Sequence, residues 1–201
     1  VVGVPPTTNF NVNNANQCLN TNSFDFTNTS NTGNTVQPND PLSYVWEFGD
    51  GTTSTLMNPT KVYASAGNYT VKLTTTNTYG SDVKTIQVAV YGVTNATVNQ
   101  STLSSGSGSV TKQFVLTNSL SYNNFSWAIS NGGSGLFSNQ GTVSFVFTQA
   151  GYYEVTVTGT NANGCTTSTI IPVTFASEEV NIGNGGGLES ESLGDLLSKQ
   201  Y

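Results

Sequence analysis

Bulky apolar residues fall at every second position along much of this chain. Tyr69, Val71 and Leu73 alternate with Thr70, Lys72 and Thr74. Val143, Phe145 and Phe147 alternate with Ser144, Val146 and Thr148, and Tyr153, Val155 and Val157 with Glu154, Thr156 and Thr158. A period of two sends successive side chains to opposite faces, so each run predicts a strand with one buried and one wet face. Turn residues separate the runs at roughly the 8–12-residue spacing of a β-sandwich. No stretch from 1 to 176 carries a helical period. In YVWEFGDG, Tyr44 to Gly51, the residues Tyr44, Trp46 and Phe48 share one face and the run stops at Gly49-Asp50-Gly51. This predicts a core strand ended by a tight turn. The glycines supply positive φ and the Asp carboxylate accepts turn N–H groups.

The pattern occurs twice. Ala66 to Ser81 reads AGNYTVKLTTTNTYGS and Ala150 to Cys165 reads AGYYEVTVTGTNANGC, 84 residues later. Val62-Tyr63 and Val146-Phe147 share that offset. Trp46 and Trp127 match at 81, and the Phe24 to Asn28 and Phe114 to Asn118 runs match at 90. Changes in loop length between copies of one fold produce such drifts. The expected organisation is all-β: two tandem immunoglobulin-like sandwiches, residues 1–92 and 93–176, followed by a tail at 177–201. The predicted core includes Trp46, Phe48, Tyr63 and Tyr69 in the first copy, and Trp127, Phe147 and Tyr153 in the second.

Composition narrows the function. Only 8% of residues are charged, against about 25% in ordinary soluble domains. The net charge is −6, with five Lys and no Arg, which disfavours nucleic acid as a partner. The chain has no His, which removes the commonest general base and zinc ligand and every Ser-His-Asp or Cys-His arrangement. No apolar run approaches the roughly 18 residues of a membrane helix. The opening VVGVPP has neither an initiator Met nor a basic region; it reads as the start of a fragment or a mature chain.

WEFGDG, the aromatic Tyr63, AGNYTVKL and TNTYG together resemble the PKD domain, an immunoglobulin-like β-sandwich. In the second copy, Trp127 to Gly133 reads WAISNGG and lacks FGDG. That copy resembles the family through AGYYEVTVTGTNANGC and the repeat. The resemblance implies a non-catalytic, extracellular role as spacer, adhesive module or enzyme companion, with neighbouring domains or surface proteins as partners. The Asn/Thr-rich, Arg-free composition resembles the strings of such domains in secreted Bacteroidetes-type surface proteins.

Related domains often pair a Cys before the Phe-x-Phe-x-Asn strand with one after Asn-x-x-Gly. Here each copy holds half of that pattern, Cys18 in the first and Cys165 in the second; Ser81 stands where the first copy's second Cys would be. A bridge between the copies needs Cα atoms within about 7 Å. Sandwiches joined end to end usually hold these positions farther apart, which favours two unpaired, partly buried thiols; the Cys18–Cys165 bridge is the alternative.

Two loops, Asn39-Asp40-Pro41 and Gly49-Asp50-Gly51, make Asp40 and Asp50 calcium candidates, because calcium collects oxygen ligands from such loops. No other cofactor is implied. The Asp and Glu residues show no spacing that brings a catalytic pair together. Tyr79, Tyr122, Phe125 and Tyr152 do not all fit the inward alternation, and an outward ring could stack on a sugar. The leading expectation is a non-enzymatic segment of a secreted bacterial surface protein. An accessory carbohydrate-binding pair and a filament repeat are its rivals. In the tail, Ile182 to Gly187 is a Gly-rich linker, and Glu189 to Lys199 spaces its leucines as a short helix or a connector would.

Overall fold

A computed structural model describes residues 3–33, 40–106, 108–130 and 137–176. The expectations for the 177–201 tail and for Asn39 lie outside these residues, as do positions 131–133 of the WAISNGG stretch. Two β-sandwiches follow one another along the chain, each with its own apolar core. The first contains β1 (Phe10–Val12), β2 (Asn16–Cys18), β3 (Phe24–Asn28), β4 (Ser43–Glu47), β5 (Thr53–Ser54), β6 (Thr60–Lys61), β7 (Gly67–Asn77) and β8 (Gly80–Tyr91). Sheet β1-β3-β6 faces sheet β2-β8-β7-β4-β5. The second contains β9 (Val98–Gly106), β10 (Ser109–Leu116), β11 (Asn124–Ile129), β12 (Phe137–Ser138), β13 (Thr142–Phe147), β14 (Gly151–Thr160) and β15 (Thr166–Phe175). Sheet β13-β10-β9 faces sheet β12-β11-β14-β15. Among the described residues the one helical turn is a 3-10 turn at Ser119–Ser121.

The period-two runs become the facing inner surfaces. In β3 the pattern from Phe24 to Asn28 alternates buried and exposed, and β13 does the same over Thr142–Phe147. A tryptophan fills the gap between sheets in each copy, Trp46 and Trp127, both fully buried. Each indole N–H is matched within its own copy: Trp46 Nε1 donates to Leu56 O at 2.9 Å and Trp127 Nε1 to Gln140 O at 2.8 Å. A buried donor left unpaired would cost about 1–3 kcal/mol. Rings from the opposite sheet close on them. Phe10 lies 4.8 Å and Phe26 5.4 Å from Trp46, and Phe114 lies 6.4 Å from Trp127.

Phe48, Tyr63, Phe147 and Tyr153 are buried in the same cores, and Tyr69 is half-buried against Tyr63 with ring centroids 3.9 Å apart. Phe147 meets Tyr153 at 4.9 Å in the equivalent place. The repeat extends to single bonds: Tyr69 Oη donates to Ser65 O at 2.8 Å, and Tyr153 Oη to Gln149 O at 2.7 Å. Among the described residues no buried side-chain polar atom lacks a partner.

Of the four rings that do not all fit the inward alternation, Tyr122 points inward: it is only 8% exposed and belongs to the second core. It follows the 3-10 turn rather than lying in a strand, so strand alternation does not govern its direction. Its ring lies over Gly159, where an added Cβ would come within 2.4 Å of it.

Truncating the second tryptophan tests the role of its volume. Trp127→Ala is expected to cost about 3–5 kcal/mol, the usual range for emptying a buried aromatic site, read from urea unfolding.

Candidate functional site

The turn after β4 is built as its sequence suggests. Gly49 has φ +82, and a Cβ there would lie 2.8 Å from Thr70 O, so both the backbone conformation and the close strand call for glycine. Asp50 Oδ1 accepts from Thr52 N at 3.1 Å and Thr52 Oγ1 at 2.6 Å, while Oδ2 pairs with Lys61 Nζ at 2.6 Å. Lys61 also lies over the Phe48 and Tyr63 rings, 5.5 and 5.2 Å from their centroids. Burial alone would raise the Asp50 pKa; the hydrogen bonds from Lys61 and Thr52 outweigh it and bring the carboxyl from 3.8 down to about 2. Burial first, then the Asp50 charge, pushes the Tyr63 phenol well above its ordinary value; its hydroxyl donates to Phe48 O at 2.8 Å.

These contacts answer the calcium expectation at Asp50. Both carboxylate oxygens are engaged and an ammonium already neutralises the charge, so a divalent cation would meet Lys61 at contact distance. The residues there do not fit calcium. Asp40 lies elsewhere, buried, with Thr78 Oγ1 donating to it at 3.1 Å. Among the described residues, no three His, Cys, Asp or Glu side chains converge.

The convergence lies instead at the junction of the sandwiches. Cys18 ends β2, which runs parallel to the end of β8 and places Cys18 beside Tyr91; Leu19 N donates to Tyr91 O at 2.9 Å. Cys165 immediately precedes β15 at the near pole of the second copy. Asn161 holds that turn: its Oδ1 accepts from Asn163 N and Cys165 N, each at 3.0 Å. Cys18 and Cys165 are joined by a disulfide, with Cα atoms 5.5 Å apart. The expectation of two separate thiols is therefore corrected. The interval from Tyr91 to the second sandwich is too short, and too closely held, to keep the two poles apart.

That interval is fixed along its length. Asn161 Nδ2 donates to Gly92 O at 3.0 Å. Thr94 O accepts from Tyr122 Oη at 2.6 Å and Thr167 Oγ1 at 2.8 Å. Asn118 Nδ2 donates to Asn95 O at 2.9 Å and Ala96 N to Thr169 Oγ1 at 3.1 Å. Across the junction Asn20 Nδ2 donates to Thr166 O at 3.1 Å. Tyr122 Oη thus contributes to the joint, a role that the spacing of apolar residues does not carry. The Asn of Asn-x-x-Gly does one job in both copies: Asn77 Nδ2 donates to Val4 O at 2.9 Å, and so also holds the chain entering its own sandwich.

Of the other three rings, Tyr79 and Tyr152 are 42% and 54% exposed and lie on different copies, and Phe125 packs against the second core. Tyr152 stands on the outer face of β14 beside Glu154.

Two largely antiparallel β-sandwiches in series, each with a tryptophan between its sheets, define an immunoglobulin-like tandem. The PKD domain family matches residues 4–91 and again 95–172, and the chain belongs to that family. It is 56% identical over 43 residues to collagenase ColA of Bacillus cereus, and 46% identical over 48 residues to the microbial collagenase of Vibrio alginolyticus. Those matches take in 21% and 23% of this chain, and 4% and 6% of the collagenases. Among solved structures, the PKD1 domain of Vibrio anguillarum Epp is 30% identical, with 46% of this chain and all of that one aligned and a TM-score of 0.38. The PKD1 domain of the Vibrio cholerae metalloprotease PrtV is 34% identical over 43% of this chain and 98% of its own, with a TM-score of 0.35.

The ion pair in the GDG turn has a testable pH signature. Because the folded pKa of Asp50 lies below its unfolded value, its contribution is complete above about pH 5 and fades as pH falls through 3.8 toward 2. Asp50→Asn is expected to lower stability by about 1 kcal/mol at pH 7, the scale of a partly exposed, hydrogen-bonded pair. The gap from the native chain should narrow through this window and close only below about pH 2, read by urea unfolding at stepped pH.

Proposed function

We propose that the chain is a non-catalytic, extracellular structural and interaction segment of a secreted bacterial protein. Its two sandwiches hold whatever adjoins them at a set distance and angle. The observation that carries this reading is the joint: a covalent bond between the copies and a linker whose carbonyls are held one after another by side chains of the second sandwich. A free hinge would leave those groups to solvent. A disulfide suits an oxidising compartment, which accords with the extracellular assignment. The matching segments of bacterial collagenases and the similar domains of Epp and PrtV are consistent with a module that accompanies other domains.

A second reading, an accessory polysaccharide-binding pair, draws on one observation. Tyr152 is exposed on the outer face of β14, opposite Thr174, with Glu154 next along the face opposite Pro172. A ring beside a carboxylate on an outer sheet face can stack on a sugar and bond its hydroxyls.

Small-angle scattering on the oxidised chain and on Cys165→Ser separates a set joint from a free one. The spacer reading expects one narrow interdomain distance for the oxidised chain and a broader distribution for the variant. Equal breadth in both would overturn it. Selective retention on an insoluble polysaccharide, lost in Tyr152→Ala, would favour the second reading.

A further inference from the structure

The bond between Cys18 and Cys165 spans 147 residues of sequence yet joins the facing poles of consecutive sandwiches. The chain enters the first sandwich near Val4, where Asn77 holds its carbonyl, and leaves the second at the end of β15, Phe175. The disulfide therefore lies between the two points at which a pull along the chain is applied. We propose that this pair is a strain-limited strut. Under tension, the load leaves the backbone at Cys18, crosses the sulfur–sulfur bond and rejoins the backbone at Cys165, so that residues 19–164 carry none of it along their backbone.

The topology makes the division sharp. Inside the covalent loop lie β3 through β14, with both tryptophans and nearly all of the two cores. Outside it lie β1, β2 and β15. In the first sandwich the loaded segment runs from the entry pole through β1 and β2 to the exit pole. It is tied to β3 at Phe10, Asn11 and Val12, and to β8 at Asn16, Gln17 and Cys18. Thr8 adds a hydrogen bond from its N to Asp82 Oδ2 at 2.7 Å. In the second sandwich the load follows β15 alone, from Cys165 at one pole to Phe175 at the other, with β14 paired to it throughout. The two loaded segments and the bond between them form one covalent stay alongside both sandwiches.

Without the bond, a pull would act across each sandwich in turn and could draw out the whole chain. With it, even complete loss of β1, β2 and β15 from their sheets leaves the loop closed. At about 3.4 Å per extended residue, a 147-residue separation withholds about 500 Å of length. The inference rests on the reading of the chain as a segment that joins what adjoins it, but not on the set joint angle, so either can fail alone.

Single-molecule stretching of the full 201-residue chain, held at its two ends, reads this directly. Oxidised molecules are expected to lack about 500 Å of contour length that the same molecules release once dithiothreitol is added. Cys18→Ser is expected to extend fully without reductant. If that variant fails to fold, reduced native chain whose near-ultraviolet circular dichroism is retained at zero force takes its place. Oxidised molecules that extend as far as reduced ones would overturn the strut, as would reduction that adds no length. A narrow interdomain distance in scattering together with full extension under force would leave the spacer reading standing and remove this one.

Discussion

The arrangement of this chain depends on one short connection, in which Cys18 and Cys165 are bonded across a linker with no slack. Each sandwich is held by its own core, and neither core contributes buried residues to the other. What turns two independent folds into one object is the junction. Gly92, Thr94 and Asn95 each give a carbonyl to a side chain of the second copy, and Asn20 of the first copy reaches Thr166 of the second. A disulfide acts chiefly by restricting the unfolded chain, and in loop-entropy terms one closing this many residues contributes roughly 5 kcal/mol. Here it also fixes which poles meet.

Much of this was legible in the amino-acid sequence, for a physical reason. Strand alternation is a local property, so β4, β7, β13 and β14 could be read directly, and the inner positions of each run are the ones that fill the cores. The doubled motif marked two copies because each copy repeats the same local solution: a Trp whose N–H meets a loop carbonyl, a Tyr whose hydroxyl bonds four residues back, and an Asn that grips the incoming chain. The GDG turn was legible because its glycine and its capping carboxylate act on their immediate neighbours.

What was not legible depends on distance in space. Lys61 meets Asp50 only because β6 and the turn after β4 meet at one pole, and that pairing turns a calcium candidate into an ion pair. Tyr122 breaks the alternation because it leaves a 3-10 turn, and its partner Thr94 belongs to the linker. The disulfide joins halves of a motif that sequence places in different copies. Spacing gives no sign of how closely two sandwiches are set, because that depends on a few linker residues and on which side chains hold their carbonyls. The second core forms without FGDG: Ile129, two residues after Trp127 as Phe48 is two after Trp46, packs against it.

The central claim is that the two copies are covalently one unit, and non-reducing peptide mapping with a thiol titration in denaturant tests it most directly. The account predicts a single cross-linked peptide pair carrying Cys18 and Cys165, and no titratable thiol. Two free thiols, or each cysteine bonded to another molecule, would contradict it.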